Sequence, residues 1–141
     1  HKVTIYPQHG HWMNRDDREA LPWMIARTRN PWPKKIVWHQ SGRTHERFYW
    51  LGAARGTAKG GQTVTAEVKG QEITLSAGGR KELKLRLSDQ LLDLDQPVVV
   101  KADGREVFRG KVERGVQAIW NSLQDRPDVA SVATAELQLK F

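Results

Sequence analysis

Leu83, Leu85 and Leu87 alternate with Lys84 and Arg86, and this two-residue period recurs along most of the chain. Side chains of an extended strand point alternately to opposite faces, so each such run buries one face and leaves the other in water. Val64, Ala66 and Val68 repeat the pattern, and Ile73 and Leu75 continue it after a turn around Lys69-Gly70, up to Ala77-Gly78-Gly79. Val98 and Val100 lead into Asp103-Gly104, a dipeptide suited to a hairpin turn whose two central residues both take positive φ, and residues 106–112 return. Residues 36–40 and 47–53 are further candidate strands, and Leu137, Leu139 and Phe141 close the chain. Short strands separated by Gly-rich turns predict an antiparallel β-sandwich over residues 31–141, of immunoglobulin- or fibronectin-like type. Two packed sheets of at least six strands are expected, with Leu83, Leu85, Leu87, Val98 and Val100 inward. One helix breaks the series. Val116, Ile119, Trp120 and Leu123 fall on one apolar stripe, Pro127 stops the helix, and the stripe is expected to cover an end or edge of the sandwich.

Residues 1–30 read differently. Five of the six Trp residues lie in the first 50 positions, the clearest shift in composition along the chain. Residues 3–6, Val-Thr-Ile-Tyr, predict a strand, followed by a His9-Gly10-His11 loop and a helix capped by Asn14, with Asp16 and Asp17 in its first turn. Leu21, Met24 and Ile25 keep helical spacing, and Pro22 kinks that helix or restarts it from its own first turn. Asn30-Pro31-Trp32-Pro33 ends helical structure. A strand and a helix cannot bury a core alone. The piece needs the rest of the chain, a second copy, or a sheet that precedes it. An unpaired edge at 3–6 predicts a concentration-dependent homodimer through residues 1–30.

Composition narrows the chemistry. With 141 residues, 38% hydrophobic and 28% charged, the chain has ordinary globular content, and no apolar run is long enough to span a bilayer. There is no Cys, which excludes disulfides, thiolate zinc sites and thiol catalysis. The net charge is +7, but basic residues are spread out, with no run beyond Lys34-Lys35 and Arg80-Lys81. Alternation carries them outward, as at Lys84 and Arg86, so a solvated surface is expected and nucleic acid is not the expected partner. His9 and His11, with His39 or His45, could be imagined around a metal, but no HExxH pattern or acidic cluster accompanies them. No metal and no cofactor is expected. Asp89, Asp93 and Asp95 lack the spacing and glycine of a calcium loop, and the leucines between them suggest a tight sandwich crossover. Trp32, Trp38, Phe48, Tyr49 and Trp50 could form a platform for sugar rings, although such residues more commonly build cores and interfaces.

Residues 3–13, Val-Thr-Ile-Tyr-Pro-Gln-His-Gly-His-Trp-Met, resemble the end of an α/β-hydrolase, where the last core strand precedes a Gly-His loop bearing the triad histidine and then the final helix. Ala20-Leu21-Pro22-Trp23-Met24, the stretch from Arg29 to Lys35, and His45-Glu46-Arg47-Phe48-Tyr49-Trp50-Leu51 resemble bacterial esterase- or peptidase-like members that carry a β-rich C-terminal extension. The resemblance covers about the first 50 residues. It implies that residues 1–30 are the C-terminal strand-loop-helix of a hydrolase domain and that residues 31–141 are an appended β-sandwich. The chain would be an accessory domain, inactive by itself, of a parent that hydrolyses esters or amides, with the parent hydrolase domain as partner and a periplasmic or secreted location. It makes His11 the acid/base, with His9 as the fallback. The Gly-x-Ser-x-Gly elbow and the acid that precede that histidine in the family are not in this sequence. The alternative from the residues themselves is a free-standing module that binds carbohydrate or an anionic surface.

Overall fold

The computed structural model describes residues 3–11 and 13–141. The chain divides into two compact units, residues 1–30 and 31–141.

The larger unit contains nine strands and one longer helix. The strands are β1 (Lys35–His39), β2 (Arg47–Phe48), β3 (Leu51–Gly52), β4 (Thr63–Lys69), β5 (Glu72–Ser76), β6 (Glu82–Leu87), β7 (Val98–Ala102), β8 (Arg105–Gly110) and β9 (Ala135–Lys140). They form a five-stranded sheet in the order β1-β4-β5-β7-β8 and a four-stranded sheet in the order β2-β3-β6-β9. One hydrophobic core draws on both: Val64, Ala66, Ile73, Leu75, Val98 and Val100 from the first sheet, and Leu51, Leu83, Leu85, Leu87 and Leu139 from the second. This is a two-sheet β-sandwich. The inward set predicted from alternation is correct, since Leu83, Leu85, Leu87, Val98 and Val100 are fully buried.

Two expectations about the strands need correction. The sandwich is not wholly antiparallel, because β5 and β7 pair in parallel. The chain leaves β5, crosses to the other sheet for β6, and returns beside β5 through residues 88–97. Burial of Leu91, Leu92 and Leu94 seats that crossover on the core. Residues 47–53 are also not one strand: β2 and β3 pair as a tight hairpin, Phe48 opposite Leu51. Tyr49 takes φ 52° at its tip. Trp50 is buried there and donates its indole N–H to the Pro33 carbonyl at 2.8 Å. The Asp103-Gly104 turn is as expected, with φ 47° and 80° and Ala102 paired to Arg105.

The helix α2 (Val116–Asp125) presents the face opposite to the one its apolar stripe predicts. Its buried residues are Ala118 and Ser122, while Val116 is 82% and Trp120 59% exposed. Hydrogen bonding decides this. The Ser122 hydroxyl accepts from Ala133 N–H at 3.0 Å and donates to the Ser131 carbonyl, and Arg47 donates to the carbonyls of Ser122 and Ser131. Small side chains let the helix backbone come close enough for these bonds, and Val116 and Trp120 turn outward. Arg86 departs from the alternation reading too. It leaves the core face as expected, but it is buried, held by Asp125 at the end of α2 and near Glu136. Gly52 makes this possible, because a Cβ there would collide with the guanidinium.

In the smaller unit, residues 3–6 form no strand, so the strand predicted there and the strand-edge argument for a homodimer are withdrawn. Asn14 does not cap a helix. It takes φ 46° within a short 3₁₀ segment, Met13–Glu19, and Arg15 takes φ 69°. The α-helix α1 (Ala20–Ile25) starts afterwards with Pro22 in its first turn, where a missing N–H costs nothing. None of the described residues before Asn30 is buried.

Candidate functional site

Two groups of residues carry the chemistry worth testing. The first is the histidine loop of the smaller unit. His9 Nε2 lies 2.8 Å from Asp16 Oδ2, and His9 Nδ1 lies 3.1 Å from the Pro7 carbonyl. Both neighbours are acceptors, so the imidazole is best satisfied with a proton on each nitrogen. Its pKa is raised accordingly, first by the Pro7 carbonyl and then by Asp16. A general base needs one nitrogen with a lone pair facing its substrate. Both His9 nitrogens are engaged in this arrangement. His11 lies on the same loop, exposed to solvent. No grouping of three His, Asp or Glu side chains suited to a metal occurs among the described residues.

The second group lies at one end of the sandwich. A cleft of ≈ 610 Å³ is lined by Thr57, Lys59 and Gln62 from the β3–β4 loop, Gly79, Arg80, Lys81 and Glu82 at the start of β6, and Lys140 and Phe141 at the end of β9. Local backbone chemistry places Arg80. Gly78 (φ +61°) and Gly79 (φ +73°) turn the chain after β5, and a Cβ on Gly78 would run into the Thr63 carbonyl. The turn closes with Arg80 N–H on the Ala77 carbonyl at 3.2 Å. The Arg80 side chain is 7% exposed, and its guanidinium lies 5.2 Å above the buried ring of Trp38. Its Nε and Nη2 have no hydrogen-bond partner among the described residues. Burial alone pulls its pKa below the ordinary guanidinium value, with no carboxylate opposing the shift. Around it stand three exposed lysines and one side-chain carboxylate, Glu82.

The aromatic residues singled out from the sequence form no ligand platform. Trp32, Trp38 and Trp50 are core residues, and Phe48 stacks on Trp38 with centroids 6.3 Å apart. The aspartates of the crossover serve structure. Arg114 grips Asp89 through Nε and Nη2 at 3.0 and 2.6 Å and Asp95 through Nη1 at 2.7 Å. Sequence reasoning noticed Arg80-Lys81 only as one of two basic pairs. The signal it left unused was the Gly78-Gly79 pair just before, a turn that directs the next side chain.

No family model, no curated protein and no solved structure matches the chain. Among the described residues, no helix is long and apolar enough to cross a membrane.

Proposed function

We propose that the chain is the accessory β domain of a serine hydrolase, contributing no catalysis by itself. One observation carries this reading. Val3, Ile5, Leu21, Met24 and Ile25 are each more than half exposed, and no described residue before Asn30 is buried. So much apolar surface left uncovered within so short a piece implies a body beyond that piece that covers it. The resemblance of residues 3–13 to the end of an α/β-hydrolase names that body as the parent hydrolase domain. The tied nitrogens of His9, and the lack of an elbow serine in the sequence, support an accessory role.

The test has two arms. The chain alone should not turn over activated esters or aminoacyl amides, and should not be labelled by a fluorophosphonate. Turnover abolished by His11→Ala would overturn the proposal. Amides of residues 3–30 should exchange rapidly in the chain alone and slowly when a hydrolase domain with a Gly-x-Ser-x-Gly motif precedes them. Equal exchange in the two contexts would remove the argument from exposed surface.

A further inference from the structure

A buried guanidinium without an anion is an expensive feature. Desolvating a cation costs several kcal/mol, and proteins normally recover part of that with a paired carboxylate. The molecule's other buried arginine, Arg86, is met by Asp125 and lies near Glu136. The Nε–H and Nη2–H of an arginine lie along one edge and form a fork that matches two oxygens of a carboxylate or phosphate. Even the exposed arginines engage it: Arg114 on Asp89, at 3.0 and 2.6 Å, and Arg109 on Glu106, at 2.9 and 2.5 Å. In Arg80 the same two atoms are the ones without a partner. The guanidinium lies over the Trp38 ring, which covers one of its faces. Lys59, Lys81 and Lys140 line the same cleft and make no ion pair among the described residues, which leaves the cleft net positive despite Glu82 and the carboxylate of Phe141.

We propose that this cleft binds a small oxyanion ligand, a carboxylate or a phosphate, with the Arg80 fork as its specific receptor and Lys59, Lys81 and Lys140 attracting and neutralising the charge. The fork atoms are closed to solvent in the structure, so the anion reaches them as the rim of the cleft opens. Lys59 lies exposed on the Gly60-Gly61 loop, where its long side chain can swing aside. The exposed face of Phe141 offers an apolar wall for the part of the ligand that carries the anion. The site belongs to the sandwich alone and does not depend on the hydrolase reading.

The experiment titrates the full chain with inorganic phosphate and, separately, with succinate. Sodium chloride of equal ionic strength is the control, and the readouts are calorimetry and the shift of the melting temperature. One of the two anions should bind and raise the melting temperature beyond the chloride control, and which one does so names the oxyanion class. Arg80→Met should weaken that binding about ten- to a hundredfold, the loss expected for a charged bidentate contact. Its melting temperature without ligand should equal or exceed that of the original chain, because an uncompensated buried charge has gone. Lys81→Gln should weaken binding less and make it less salt-dependent. The proposal is overturned if neither anion does more than chloride, if Arg80→Met binds as before, or if Arg80→Met melts well below the original chain in plain buffer. The last result would make Arg80 a structural residue.

Discussion

Arg114, tied to Asp89 and Asp95, sets the acid response of the crossover between the sheets. Its hydrogen bonds hold both carboxyls below their ordinary range. A depressed carboxyl contributes stability that is present above its unfolded value and is lost as pH falls through the folded one. The acid side of the stability profile should therefore flatten in Arg114→Gln, which denaturant titrations between neutral and acid pH would measure. His9 has the opposite sign. Its raised pKa means that the contact with Asp16 is fully made below the ordinary histidine value and is lost as pH rises through the folded one. Proton NMR of the imidazole should give a midpoint above that of a free histidine, and Asp16→Asn should move it down. A third residue-scale case is Gly78, where positive φ and the Thr63 carbonyl both exclude a side chain. Gly78→Ala should cost at least ~1 kcal/mol on conformation alone, and more from the collision.

At the scale of elements, α2 shows how a few hydrogen bonds can outweigh an apolar stripe. Ser122 is fully buried and satisfies the Ala133 N–H, whereas Trp120 faces water. Ser122→Ala leaves that buried N–H without a partner and should destabilise by about 1–3 kcal/mol. Trp120→Ala removes a much larger side chain and should change stability by less than about 0.5 kcal/mol. Chemical denaturation of both variants checks the ordering, and a reversed order would mean that the stripe packs inward. Strand β6 gives the contrast. Leu85 lies in the core opposite Leu51 and Leu137, so Leu85→Ala should cost about 2–5 kcal/mol.

At the scale of the whole molecule, the two units differ in what stabilises them. The core of the sandwich takes all its residues from position 32 onward. A chain of residues 31–141 should therefore melt cooperatively at nearly the temperature of the full chain, as calorimetry can establish, and a large drop would mean that the sandwich needs the first 30 residues.

The sequence by itself determined the sandwich, its inward faces and its hairpin turn. Those follow from period-two alternation and from a dipeptide that tolerates positive φ, and both are local rules of the backbone. It also determined that no elbow serine accompanies the histidine loop. What it could not determine were features settled by distant partners. Residues 3–6 have the composition of a strand but find no neighbouring strand, and a lone strand leaves its backbone groups unpaired. The face of α2 was decided by Ser131, Ala133 and Arg47, which are not neighbours of Ser122 along the chain. Arg80 and Arg86 read alike in sequence, as basic residues of a polar surface. Only the tertiary structure buries both, gives Arg86 the carboxylate of Asp125, and leaves the fork of Arg80 unpaired, because burial and pairing depend on what the fold brings near each guanidinium.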